Sequence, residues 1–108
     1  MAELISPEHK TFVLGVIFKH FSEAKVTAFG SRIRGDAKQY SDLDLSITLP
    51  QGQEKLATFS KLALLDEELA NSDLPFKVDI VLHHNLSEKF RTLVERTGVI
   101  WSRIIGRR

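Results

Sequence analysis

Two aspartates separated by one leucine are the residues of this chain that most directly indicate chemistry. They are Asp42 and Asp44, in the run Asp42-Leu43-Asp44-Leu45. In a β-strand, residues two apart project from the same face, so two carboxylates would lie side by side. Adjacent carboxylates repel unless a cation lies between them, and Mg²⁺ binds one or two carboxylates together with phosphate oxygens. The alternative is a merely solvated pair on an exposed strand.

A glycine–serine pair lies upstream of the two aspartates. Gly30-Ser31 directly follows a β-prone run at residues 25–29. Glycine lets the backbone approach a phosphate closely, and the free N–H groups at a helix start favour anions. The pair therefore indicates a phosphate-binding turn, or else a plain strand-to-helix turn capped by Ser31. Arg32 and Arg34 follow this pair. They are expected either to contact phosphate or a partner, or to be exposed surface charges.

A third aspartate lies in an apolar run. Asp79 is flanked by Val78 and Ile80 within a segment that reads as a strand. Carboxylates are almost never buried without a partner, so an acidic residue here indicates a functional role. The alternative is that alternation exposes Asp79 on an open face, where Lys77 pairs with it.

The elements that must position these residues follow from capping and periodicity. Ser6 and Pro7 open a first helix, and strands are expected at 25–29, about 42–49 and 76–82. A short helical turn should follow Ser31, a long helix should span 53–70, and a last helix should run from Ser87 to about Thr97. Residues 99–101 look extended. The inner positions expected on the last two helices are Leu56, Phe59, Ala63, Leu65, Leu69, Phe90, Leu93 and Val94.

The order α-β-α-β-α-β-α predicts an α/β (α+β) fold with a small mixed sheet flanked by helices. The short connection from Ser31 to Asp42 favours antiparallel pairing of the first two strands. The longer path through residues 50–76 contains a helix, as a parallel crossover requires. Parallel pairing of strands two and three would set Asp79 beside Asp42 and Asp44. Three carboxylates facing a phosphate-binding turn would form a two-metal site.

Size and composition limit the remaining possibilities. The 108 residues predict a single domain, and so small a site indicates a partner that completes it. Fifteen Lys and Arg against 14 Asp and Glu argue against a general nucleic-acid-binding surface. The absence of cysteine excludes disulfides and thiolate chemistry. Without an apolar run of roughly 18 residues or a signal-peptide pattern, no membrane association and a cytoplasmic location are expected.

The joint motif resembles a known enzyme superfamily. The strings at residues 29–37, 40–45 and 72–79 are similar to the signature of the polymerase-β-type nucleotidyltransferases. In detail they resemble its minimal nucleotidyltransferase (MNT) subfamily of bacteria and archaea, over about residues 10–101. Ile33 stands where an alanine is expected, a change that should alter packing rather than chemistry.

This resemblance implies an Mg²⁺-dependent transfer of a nucleoside monophosphate. The donor would be ATP, which supplies AMP, or another NTP, and in some members the acceptor is a tyrosine of a partner. It implies a helical partner subunit of the HEPN type, in a toxin–antitoxin couple with this chain as antitoxin. A hetero-oligomer is therefore expected, with a homodimer as the alternative. Two Mg²⁺ ions would be held by Asp42, Asp44 and Asp79, and the nucleotide by Gly30, Ser31, Arg32 and Arg34.

The competing hypothesis is a non-catalytic binding module that neutralises its partner by docking alone. A weaker one is an enzyme that tails nucleic-acid ends, which the near-neutral charge disfavours.

Overall fold

The computed structural model describes residues 5–30, 33, 42–50, 52 and 59–102. Most of the short helical turn expected after Ser31 and the first part of the long helix, residues 53–58, lie outside this range. The described elements are, in chain order, α1 (Pro7–His20), β1 (Lys25–Phe29), β2 (Leu43–Thr48), α2 (Phe59–Ala70), β3 (Val78–Leu82), a 3₁₀ turn (His83–Asn85), α3 (Glu88–Thr97) and β4 (Val99–Ser102).

The strands form one mixed sheet in the order β3-β2-β1-β4. β1 pairs with β2 antiparallel and β2 pairs with β3 parallel, which confirms both predicted pairings. The segment that looked extended is a fourth strand, β4, antiparallel to β1. The predicted α/β class is confirmed, with this strand added after the last helix.

The main core lies between one face of the sheet and helices α1 and α2. Leu43, Leu45 and Ile47 of β2 are fully buried there, because alternate residues of a strand share a face. Ile17 of α1 and Leu65 of α2 belong to the same buried cluster. The other face is partly covered by α3.

Helix α1 begins as the sequence predicts. The Ser6 side chain accepts a hydrogen bond from the His9 backbone N–H at 3.1 Å, and Pro7 occupies the first helical turn. This bond satisfies one of the amide groups that every helix start leaves open.

Three of the expected inner positions are wrong or only partly right. Ala63 is exposed because it lies two residues before the fully buried Leu65, on the opposite side of α2. On α3, Val94 faces the sheet with 1% exposure. Phe90, four residues earlier, remains 38% exposed, and Leu93 is turned away from the sheet and is 51% exposed.

The β4 edge of the sheet carries the tryptophan. Trp101 is half-buried and packs against the core cluster. The Lys10 Nζ of α1 lies 5.1 Å from the centre of its ring, within the range of a cation–π contact. Among the described residues, no helix combines the length and the apolar character needed to cross a membrane.

A cluster of charged groups joins the two helices on the core side. The Glu68 carboxylate of α2 accepts hydrogen bonds from Lys19 Nζ and from His20 Nε2, the latter at 3.0 Å. These two bonds, from Lys19 first and then from His20, hold the pKa of Glu68 below its ordinary value of 4.5. A carboxylate with a lowered pKa stabilises the fold while it is ionised.

We expect Glu68→Gln to lower the free energy of unfolding at pH 7, because the α1–α2 cluster loses its charge. The difference from the native chain should shrink as the pH falls through and below the ordinary range of glutamate, where the native carboxylate also becomes protonated. Urea denaturation at pH 7 and pH 3 measures this. Glu67→Gln, its exposed neighbour, is the control. An unchanged difference at both pH values would contradict the expectation.

Candidate active site

The parallel pairing of β2 and β3 brings two of the predicted aspartates together. Asp44 and Asp79 are register partners, and Phe29 of β1 is opposite Asp44 on the other side. Residues opposite one another on paired strands project from the same face. Asp44 and Asp79 therefore lie side by side on the face that α1 and α2 leave open.

Gly30 lies against the carboxylate of Asp44. Its φ angle is +87°, and a Cβ atom at this position would be 2.3 Å from Asp44 Oδ2. The backbone after β1 can approach Asp44 so closely only because residue 30 has no side chain. The Ile33 N–H donates to the Gly30 carbonyl at 3.1 Å, so a turn begins directly after the glycine.

Asp42 lies one residue before β2 and is exposed. The sheet hydrogen bonding extends to this end of the strand, since the Leu43 N–H donates to the Lys77 carbonyl at 2.8 Å. Strand alternation sets Asp42 on the face of Asp44. In the described part of the chain, however, no three acidic or histidine side chains are grouped closely enough to hold one metal ion. The described site therefore consists of the carboxylate pair Asp44 and Asp79, with the exposed Asp42 next to it at the start of β2.

Asp79 is accessible from solvent. Its side chain is 41% exposed, and Lys77 Nζ lies 3.6 Å from its Oδ1. The pairing with Lys77 considered from the sequence is therefore present. An exposed pair of this kind contributes only about 0–1 kcal/mol, so a divalent ion or a substrate group can displace the lysine.

The sequence analysis missed a further carboxylate near Asp79. Burial raises the pKa of the Asp66 carboxyl above its ordinary value, the charge of Asp79 raises it further, and Lys77 lowers it. Asp66 of α2 is therefore close enough to Asp79 for the two charges to interact. Nothing in the run Asp66-Glu67-Glu68 distinguishes this residue from its neighbours, because its position depends on how α2 packs beside β3.

The other end of the same face is covered by α3. The fully buried Ser46 hydroxyl is 3.1 Å from His83 Nδ1, and His83 Nε2 is 2.8 Å from Glu95 Oε2 of α3. Phe90 contacts Phe29 edge to face, with ring centres 5.9 Å apart. These contacts hold α3 across the sheet while Asp44 and Asp79 remain accessible.

The remaining predicted site residues are outside the described residues. Ser31, Arg32 and Arg34 are among them, so their roles stay predictions. Ile33 is described: it is 7% exposed and belongs to the core cluster. Its burial agrees with the expectation that a larger side chain at this position changes packing.

The described carboxylates suit Mg²⁺ chemically. Mg²⁺ is usually bound by one or two carboxylates, with phosphate oxygens and water as its other ligands. Asp44 and Asp79 supply two such oxygen donors on one open face, and the Gly30 backbone lies directly beside Asp44. A site with fewer than three clustered protein ligands therefore still fits this ion when a nucleotide is bound.

The mixed sheet, the paired carboxylates and the adjoining glycine turn are features of a nucleotidyltransferase fold, with the candidate site at one end of the sheet. The sequence model of the family "Nucleotidyltransferase domain" matches residues 14–105. The chain belongs to this family, and it is a nucleotidyltransferase of the minimal type.

Individual relatives agree with this assignment. The chain is 35% identical over 96 residues to "Probable protein adenylyltransferase MntA" of Haemophilus influenzae, covering 89% of this chain and 81% of the relative. A solved structure assigned as a minimal nucleotidyltransferase superposes with a TM-score of 0.67 at 32% identity, covering 85% of this chain and 88% of the other. A chain of a toxin–antitoxin crystal structure with AMP-PNP shares the fold, with a TM-score of 0.70 at 21% identity over 90% and 74% of the two chains.

We expect Gly30→Ala to destabilise the chain more than Gly52→Ala. Both glycines have a φ of +87°, but no atom of the described residues lies within 4 Å of a Cβ at Gly52, whereas Asp44 blocks one at Gly30. The control should lose about 1–2 kcal/mol from backbone strain alone. Gly30→Ala should lose about 1–3 kcal/mol more from the collision. Urea denaturation of both variants measures the difference, and equal losses would show that the close approach to Asp44 is absent.

We expect His83→Ala to lower the free energy of unfolding by about 1–3 kcal/mol, because the buried Ser46 hydroxyl loses its bond to the imidazole. His84→Ala, at the exposed neighbouring position, should stay within about 0.5 kcal/mol of the native chain. Thermal or urea denaturation provides the comparison. Equal stability of the two variants would remove the proposed link between β2 and α3.

Proposed function

We propose that this enzyme transfers AMP from ATP to a hydroxyl group of a partner protein in a reaction that depends on Mg²⁺. The observation that carries the proposal is the register pairing of Asp44 with Asp79 on an open face beside Gly30. The relative named as a protein adenylyltransferase supports a protein acceptor. The structure with AMP-PNP supports an adenine nucleotide.

The roles of Asp42, Asp44, Asp79 and Gly30 are assigned from their positions, and those of Ser31, Arg32 and Arg34 from the sequence motif. Asp42 and Asp44 would hold an Mg²⁺ ion that neutralises the triphosphate, and Asp79 would contribute to a second metal site. Gly30 and Ser31 cradle the outer phosphates, and Arg32 and Arg34 neutralise their charge. Bound Mg²⁺ supplies charge neutralisation at the phosphates and makes the acceptor hydroxyl more acidic.

The transfer itself is a single displacement. The acceptor oxygen attacks the α-phosphorus in line, while the bond from that phosphorus to the oxygen bridging the β-phosphate breaks and pyrophosphate leaves. Asp79 accepts the proton of the hydroxyl. The exposure of Asp79 suits this role, because an acceptor must reach it from solvent.

We further propose that the acceptor belongs to a helical partner of the HEPN type and that this chain is the antitoxin of the couple, acting in the cytoplasm. The fold is shared with a chain of a toxin–antitoxin structure, and the resemblance of residues 29–45 to minimal nucleotidyltransferases supports the same partner class. The face that carries Asp44 and Asp79 is accessible in the described part of the chain, and a partner would cover it.

We expect Asp44→Asn to reduce AMP transfer at least about 100-fold, equivalent to about 2.7 kcal/mol of barrier, because a metal ligand is lost. The assay measures radiolabel transfer from α-labelled ATP to the co-expressed helical partner. Circular dichroism and urea denaturation should show an intact fold. Asp73→Asn, an exposed aspartate after α2, is the control and should transfer at the native rate.

Wild-type turnover by Asp44→Asn would overturn the assignment of this residue. The docking hypothesis makes a different prediction for the double variant Asp42→Asn/Asp44→Asn. If that variant transfers no AMP and still neutralises the partner, neutralisation depends on binding rather than on catalysis.

A further inference from the structure

A cavity of about 410 Å³ lies between α2 and the outer edge of β3. Its polar groups are Asp66, Lys77 and Asp79. Its apolar lining consists of Leu69, Ala70, Leu74, Phe76, Val78 and Ile80. The volume is near the lower end of the roughly 300–1,000 Å³ range of small-ligand sites, so it suits one or two side chains.

Asp79 connects this cavity to the catalytic carboxylates. Asp79 is on the cavity lining and is the register partner of Asp44. Among the described residues, the lining includes none from β1 or β2. The cavity therefore lies on the far side of Asp79 from Asp44 and Gly30, opposite the place proposed for the triphosphate.

The lining, which combines apolar and charged residues, suits a side chain with an apolar part better than it suits the nucleotide. Six of its nine residues are apolar, so a phosphate or ribose placed there would lose hydrogen bonds to water that the three polar side chains replace only in part. Two carboxylates, Asp66 and Asp79, stand against the single ammonium of Lys77, which disfavours a polyanion. An apolar or aromatic side chain loses no hydrogen bonds to water there and is not repelled by the carboxylates.

We propose that this cavity is the acceptor subsite: it binds an apolar or aromatic side chain of the protein acceptor and thereby brings the attacking hydroxyl to Asp79. This inference rests on the proposed function. Ala70 and Asp66 are then specificity-determining residues, since Ala70 leaves the cavity open and Asp66 lines it together with Asp79. Neither residue takes part in nucleotide binding.

The test fills the cavity without removing any core contact. Ala70 is exposed and lines the cavity, so the indole of Ala70→Trp would occupy it, whereas Ala63→Trp places the same ring elsewhere on α2. We expect Ala70→Trp to raise the KM for the co-expressed helical partner at least 10-fold. Its Kd for Mg·ATP, measured by calorimetry, should stay within twofold of the native value. Ala63→Trp should match the native chain in both measurements.

A second pair of variants tests the polar end of the cavity. Asp66→Arg should also raise the KM for the partner, while Glu67→Arg, on the same helix and outside the cavity, should leave it unchanged. An unaltered acceptor KM in Ala70→Trp and Asp66→Arg would overturn the subsite, as would an equal weakening of Mg·ATP binding. If the native enzyme itself transfers no label to the partner, the proposed function fails. If the native enzyme transfers label and both variants keep its KM for the partner, only the subsite fails.

Discussion

The parallel pairing of β2 with β3 is the constraint on which the site depends. Because the side chains of a strand alternate between faces, a slip of one residue would turn Asp79 toward the core and set Val78 or Ile80 beside Asp44. A slip of β2 instead of β3 is resisted by its buried leucines, because Leu43 and Leu45 would have to leave the core. The bond from the Leu43 N–H to the Lys77 carbonyl fixes the same register at the end where the aspartates lie. Core packing thus determines the position of the charged groups.

The open face of the sheet has two ends with different physical characters. At one end, Ser46 is fully buried beneath the 3₁₀ turn and α3, where the His83 imidazole links it to Glu95. At the other end, Asp79 remains accessible in the part of the chain that the structure describes, and Gly30 lets the backbone lie directly against the Asp44 carboxylate. A buried polar group requires a hydrogen-bond partner within the protein, whereas a group that binds substrate must remain accessible from solvent. On β2, the buried Ser46 is therefore linked through His83 to α3, whereas Asp44, two residues earlier, faces the candidate site.

Much of this arrangement could be predicted because it depends on local rules. The spacing of Asp42 and Asp44, the cap at Ser6 and the connection lengths that determine strand direction can all be read along the chain. What could not be predicted depends on how helices rotate against the sheet: the exposure of Ala63 and Leu93, the approach of Asp66 to Asp79, and the link from His83 to Glu95. The extended run at residues 99–101 was too short to distinguish a tail from a fourth strand, because that difference lies in pairing with β1.

Trp101 is the only tryptophan in the sequence, and it lies on the strand at the opposite edge of the sheet from Asp79. Its indole is half-buried beneath Lys10 of α1, so its emission depends on whether α1 and β4 remain packed together. The chain therefore contains a single intrinsic fluorophore that reports global unfolding without interference from other indoles. The indole contacts α1, whereas Asp44 and Asp79 lie on the opposite face of the sheet, so the sheet itself separates this fluorophore from the proposed nucleotide site.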